Sequence, residues 1–537
     1  MPEPTGTVAG VEVQVDGQPL DPEIGARLLE VQVRDNLALP DSFLIRVSDP
    51  GLESIDSTLL EIGAEVEIRL ASADAEGLTS VLSGQVASLE PEFGADGAVI
   101  AARGYDHSHA LNRSRVTETF QNMTADDIAR KLATKAGLEL GVIDPAGSPY
   151  DFIQQSNETD WEFLWRLASA IDFEVEVIDG KLHFRRAGGQ NGGLQTLRWG
   201  DGLREFRPRV TGVQQVDQVV VRGWDEKAKQ RIEASASAEP DASPGVERER
   251  VVSAMGGGTV TVADRPIGSQ AEADALAKAI AARLGNAWVE ATGVAEGDAL
   301  LRAGTKVRID GVGERFGGEY VLTSTTHSFR GTRGYETRFE ISGRAARTLV
   351  ELMTPKTKRP WGASVAVGIV TQNEDPDGLG RIRVKYPELG EETEGWWARI
   401  AAPGAGGGRG LMMTPLVGDE VLLAFEHGDV RKPYVLGALW NGKDQPDELV
   451  RSDGSFALRS DQAVAIDAGG AITIEGADGM EVEVKGSYTV DSQGTLTVKG
   501  ARSVSIEAGT EIAIKAPSIS IQAQGVLRLA GAQVSLG

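Results

Sequence analysis

Not one of the 537 residues is a cysteine, which excludes disulfides, thiolate metal sites and a cysteine nucleophile. Aromatic residues make up only 5% of the chain, too few for a fold built from long packed helices around large rings. No run of eighteen apolar residues occurs, so no segment can span a bilayer as a helix. The N-terminus, MPEPTGTVAGVEVQVDG, has neither a basic n-region nor an apolar h-region. It predicts no secretory signal and synthesis as a soluble cytoplasmic chain. Basic residues are also short, 54 against 79 acidic ones, for a formal charge of −25. Such a surface repels phosphate backbones and anionic head groups, so neither nucleic acid nor a stable membrane contact is expected.

What is present points to β structure. Glycine is abundant at 66 residues, and 41% hydrophobic content suffices for real cores. A chain this long exceeds one core, which argues for roughly three or four domains. From the N-terminus to about residue 120, apolar residues alternate with polar ones: Val11, Val13, Val15; Leu29, Val31, Val33; Val66, Ile68, Leu70. Turns at Asp16-Gly17, Asp49-Pro50-Gly51 and Ala95-Asp96-Gly97 separate these strands. Three helices are predicted. Thr124 opens the first and Gly137 ends it; Asn157 or Thr159 opens the second; Ser269 opens the third, which Gly285 stops. The stretch 226–258 is rich in Ala, Ser, Glu, Lys and Pro, and part of it is expected to be a mobile loop. A basic, Pro-containing linker, MTPKTKRPWG, follows Leu352 and marks a boundary. Five short strands then fall at 365–371, 380–386, 396–402, 419–426 and 434–440, a pattern that suits a small OB-type barrel.

The last region carries a repeat. Apolar pairs two residues apart recur from Val464/Ile466 through Ile472/Ile474, Val504/Ile506 and Ile512/Ile514 to Val534/Leu536. There are ten pairs with a mean period of about eight, and Gly or Asp typically sits in the gaps. Each unit is one short strand and a turn with one apolar face. A meander folded on its own chain would leave much of that face uncovered. Three chains contributing one strand each would close a triangular core and give every strand edge a partner. We therefore expect 456–537 to form one third of a trimeric β-helical needle.

The order of these parts resembles the valine-glycine repeat protein G (VgrG) spikes of type VI secretion, and equally their relatives in extracellular contractile injection systems and phage tails. The most specific match lies in GIVTQNEDPDGLGRIRVKYPE, WWARIAAPGAGGGRG and TPLVGDEVLLAFEHGDVRKPYVLGALWNG. RGYDHSHALNR, QQSNETDWEFLWRLA and YVLTSTTHSFRGTRGYETRFE, further upstream, are similar to the family too. The resemblance implies a mainly β chain with a few helices. It would comprise a hub of two β-barrel-like domains (1–355), an OB-fold domain (363–442) and a triple-stranded β-helix made by a homotrimer (456–537). It further implies an inner-tube hexamer seated on the hub, baseplate partners, possible effector cargo and a PAAR-type tip protein docked on Val534, Leu536 and Gly537. The expected particle is phage-tail-like, assembled in a bacterial cytoplasm and retained or released, and its spike punctures the target envelope. About twenty residues separate the OB end from the repeats, and the chain stops one residue past the last pair; both leave no room for an enzyme domain and lean toward the contractile-particle branch.

Other chemistry is weakly signalled. His107 and His109 form an HxH on what reads as a strand, without a third metal ligand. Asn373 to Gly378 imitates the start of a calcium loop, but position twelve is Val384 rather than Glu, and Pro-Asp-Gly reads as a turn. The glycines at 406–410 lack the Lys-Ser/Thr of a phosphate loop. Arg381, Arg383 and Lys385 alternate on a strand without interleaved aromatics on their face, which favours a solvated or inter-subunit face over nucleic acid. Trp161 and Trp165 read as core packing or trimer contact. No catalytic residue, cofactor or metal is expected. Two other functions fit less well: a trimeric adhesin or fibre-like module, and a spike-borne hydrolase.

Overall fold

The computed structural model describes residues 10–535 except 57–59, 73–76, 96, 189–191, 214, 332, 343–363, 389–393, 447–448, 450–452 and 454. The chain divides into two compact units, Met1–Asp447 and Glu448–Gly537. The MTPKTKRPWG linker lies outside the described residues.

The alternating valines of Val11–Val15 bury one side of their strand and expose the other partly, and the same holds for Glu65–Ala71 opposite. Repeated along the chain, this period of two builds one sheet of fifteen strands. Its two halves are held by separate cores. Val13, Val33, Ile45, Ile68 and Ala102 fill the first; Leu203, Trp288, Val307, Tyr320 and Phe339 fill the second. The halves join where Leu28–Asn36 runs antiparallel to Ser324–Arg330, with His327 opposite Val33. Main-chain hydrogen bonding is thereby continuous from one half to the other.

Between these halves lies a helical insert. Thr124 caps Ala125–Ala136, exchanging hydrogen bonds with Asp127, and Gly137 ends it in the left-handed region at φ 75°. Thr159 and Glu162 form the same capping box on Asp160–Ala170. Both helices pack on Phe120, Val175, Leu182 and Phe184. Trp161 is buried there and Trp165 is half-buried, in agreement with core packing.

The third helix, Gln270–Asn286, starts at its Ser269 cap but runs one residue past Gly285. Gly285 is there for closeness rather than as a stop: a Cβ at this position would lie 2.6 Å from the Glu239 carbonyl oxygen. About half of the stretch 226–258 is regular. Gln230–Ser237 pairs with Gln218–Asp225 as a hairpin, and Arg248–Ala254 is helical. Alternation of Ile232, Ala234 and Ala236 buries one hairpin face under the third helix, and the polar composition belongs to the other face. Together with Pro22–Gly25 this makes five α-helices among the described residues, two more than expected.

Next comes a five-stranded barrel. Ala366–Gln372 pairs with Arg383–Lys385 on one side and Glu420–Phe425 on the other. Pro433–Leu439 joins Glu420–Phe425 and runs parallel to Arg399–Ile400. Bridges from Ile382 to Ala398 and Lys385 to Glu394 close the circuit. That closure, with one parallel contact, is OB topology. Val370, Ile382, Val384, Tyr386 and Leu423 fill its core.

The second unit is different in kind. Between 455 and 535 the chain runs as extended segments separated by bends, with no ladder within the chain among the described residues. Every described residue from 459 to 535 is exposed. The single-chain meander considered from sequence is therefore not what this chain forms.

Candidate functional site

Two surfaces follow from this architecture. One is the apolar ladder of the second unit. Side chains two apart on an extended strand share a face, so Ile472 and Ile474, or Ile512 and Ile514, present paired methyl groups on one side. Their exposures are 55%, 69%, 51% and 67%, in a unit whose described residues offer them no internal cover. Single exposed apolar residues are ordinary, whereas a continuous row of them marks an interaction surface. Phe456 and Leu458 carry the same spacing one period before Val464 and are also exposed, at 90% and 55%; the repeat therefore has one more pair than the sequence reading counted. Only the period itself, extended backwards by eight residues, could have found it. Of the residues expected to dock a tip protein, Val534 is exposed at 51%, while Leu536 and Gly537 lie outside the described residues.

The second surface is the seat of the OB barrel on the hub. Phe152 of the insert stacks on Trp396, with ring centroids 5.6 Å apart. Arg431 bonds Glu272 of the third helix at 3.0 Å and Asp429 at 2.8 Å. Burial alone would raise the Asp429 carboxyl, but the Arg431 charge beside it prevails and holds it below the usual range. The tip of the 218–237 hairpin reaches over as well: Glu226 faces Arg399 at 3.5 Å and Lys432 at 3.9 Å, and Lys227 pairs with Asp377 at 2.9 Å. Sequence reading missed this joint, because none of its partners is local.

The remaining candidates resolve into structural roles. His107 and His109 sit on a 3-10 helix, His107–Asn112, rather than a strand, so their rings do not share a strand face. His107 lies 3.4 Å from Glu65, and His109 bonds the Asp106 carbonyl and Arg113. Among the described residues no group of three or more His, Asp or Glu is placed to hold a metal. In the calcium-like loop, Asp375 accepts from the backbone of Asp377 and Leu379 and from the Arg381 guanidinium at 2.7 Å. Those Arg381 hydrogen bonds hold its carboxyl well below the usual range. The basic strand is thus corrected: Arg381 is 5% exposed and locks a turn, and Arg383 pairs with Glu394 at 2.8 Å. The solvated alternative is therefore excluded for Arg381 and Arg383, while the inter-subunit one concerns a second chain. Gly406 and Arg409-Gly410 form a small exposed hairpin.

Comparison with known proteins agrees with this geometry. Residues 366–440 match the model of the type VI secretion system/phage-baseplate injector OB domain. Residues 6–331, more than half of the chain, match that of the Alg8 N-terminal domain. The chain belongs to that family. It is similar to the type VI secretion system spike protein VgrG1b of Pseudomonas aeruginosa, 29% identical over 106 residues, covering 19% of this chain and 14% of the relative. The probable baseplate hub protein of Escherichia phage P2 is 36% identical over 116 residues, covering 21% of this chain and 30% of the relative. The matched stretches thus span under a third of either relative. An E. coli component of the type VI secretion system shares the fold, with a TM-score of 0.50 at 16% identity over 80% of this chain and 99% of that one.

Proposed function

We propose that the chain is the homotrimeric central spike of a bacterial contractile injection particle, acting mechanically and not as an enzyme. The observation that carries this reading is the exposed apolar ladder of 456–534, which lacks cover in one chain. Three copies would turn each row of paired Ile, Val and Leu inward and satisfy each strand edge with a neighbour. A needle built this way resists bending, because deformation must break ladders shared by three chains. In this reading the two halves of the fifteen-stranded sheet, taken three times, present six similar faces to an inner-tube hexamer, and the surrounding loops meet baseplate proteins. Val534, Leu536 and Gly537 would seat a PAAR-type tip, and effector cargo would travel with the spike. The particle would be assembled in the cytoplasm, and sheath contraction would drive the needle through the target envelope.

The test is the mass in solution. Three chains of 56.9 kDa give about 171 kDa by light scattering. A folded monomer of the full chain would overturn the reading.

A further inference from the structure

The barrel carries an apolar run that no described residue covers. Leu411, Met412, Met413, Leu416 and Val417 fall close together in sequence, and each is more than half exposed. Leu379, exposed to the same degree, joins them: a Cβ on the next residue, Gly380, would lie 3.0 Å from the Met412 methyl. The run is held in place rather than trailing. The Leu411 amide donates to the Gly404 carbonyl at 3.1 Å, and the Asn373 side chain donates to the Pro415 carbonyl at 3.2 Å. The Leu416 amide donates to Asp419 at 2.8 Å. Scattered exposed apolar side chains are ordinary, whereas a group of them on a fixed backbone marks an interaction surface. Arg409 precedes the run in the Ala405–Gly410 hairpin, and Glu374 adjoins its far end beside Asn373. Both are exposed, and among the described residues neither side chain has a hydrogen-bond or ion-pair partner.

Two observations choose the partner. The first is covalent reach. Asp444 is fixed to the barrel by Asn441, whose side-chain oxygen accepts from the Asp444 amide at 2.9 Å, and the apolar ladder begins at Phe456. The twelve residues from Gln445 to Phe456 extend at most roughly 40 Å. Three ladders sharing one axis would therefore keep three barrels within that reach of it, at a mutual concentration of order millimolar. No freely diffusing partner starts with that advantage. The second observation is charge. Around a rotational ring each contact joins two different surfaces, so one chain must carry both halves. Arg409 and Glu374 are opposite charges at the two ends of one run, and copies set head to tail bring them together. We propose that the 405–417 loop and the 374–380 turn form a contact between copies of this chain. The run of one copy packs against its neighbour, and Arg409 meets Glu374 of the next copy. This contact rests on the trimeric reading above and extends it from the ladder to the barrel.

Because the chain has no cysteine, an introduced thiol is the sole thiol of its copy. Full-length Arg409→Cys and Glu374→Cys, carrying different tags, are co-expressed, treated with a short bis-maleimide and resolved on a denaturing gel. The expected result is a band of two linked chains bearing both tags, absent when either variant is treated alone. Adding Met412→Asp to both chains should remove most of that band. All three side chains are exposed, so the substitutions leave the barrel core intact. The mass of the unaltered protein in solution separates this contact from the reading beneath it. A mass of three chains without the mixed link, or with a link that Met412→Asp leaves undiminished, overturns the contact and leaves the trimer standing. Linking within either variant alone does the same. A mass of one chain overturns both.

Discussion

Phe152 lies over Trp396 with their ring planes 22° from parallel, although one belongs to the hub insert and the other to the OB barrel. Offset pairs of this kind contribute roughly 0.5–1.5 kcal/mol beyond the area they bury. The pair is thus a direct measure of how firmly barrel and hub are coupled. Phe152→Ala and Trp396→Ala, combined in a double-mutant cycle by denaturant unfolding, are expected to return a coupling of about 1 kcal/mol. Phe152, 4% exposed, should itself cost about 3 kcal/mol or more when truncated.

The Asp375–Arg381 pair predicts a change of pH dependence. Its side chains are 2% and 6% exposed, so Arg381→Met strands a carboxylate in the interior and should cost roughly 3–5 kcal/mol. Because the folded carboxyl is held low, its stabilisation is present above ~4 and lost as pH falls below it. The gap in stability between the two proteins should therefore widen from about pH 2 to pH 5. Guanidinium melts across that range check it.

In the second unit, a carboxylate in the apolar row should separate assembly from hub folding. Ile512→Asp would place three charges on the axis of a trimeric needle. Trimer mass should be lost in light scattering, while the thermal transition of Met1–Asp447 persists. A trimer of unchanged stability would contradict an inward-facing row.

Helix capping offers a local test. Thr124→Ala removes the side-chain oxygen that accepts from the Asp127 amide at 3.2 Å. About 1 kcal/mol should be lost, visible as a lower melting temperature, and Thr124→Ser should restore most of it.

How much of this was legible depends on how local each signal is. Thr124 with Asp127, and Gly137 after the last apolar turn, announce a helix within fourteen residues, and the caps sit where the reading put them. The apolar pairs announce themselves by period. Arg381 was misread because an alternating basic residue on a strand ordinarily faces water; its partner Asp375, six positions earlier in a Pro-Asp-Gly turn, was the available clue. The hairpin strand Gln230–Ser237 was missed because, after Ile232, its buried face is made of small alanines that composition counts as loop-like. Nothing local could reveal the seat of the barrel or the Arg302–Asp35 bond, whose partners are 267 positions apart. Such pairs are products of topology.

The pairing of Leu28–Asn36 with Ser324–Arg330 also sets a timetable. The first of these strands leaves the ribosome early, yet its partner follows only some 300 residues later, after the whole insert and most of the second half. At ~5–20 residues per second the nascent chain carries an open, alternating strand edge for roughly 15–60 seconds. Chaperone demand during synthesis, rather than the stability of the finished hub, is where that edge is exposed to selection.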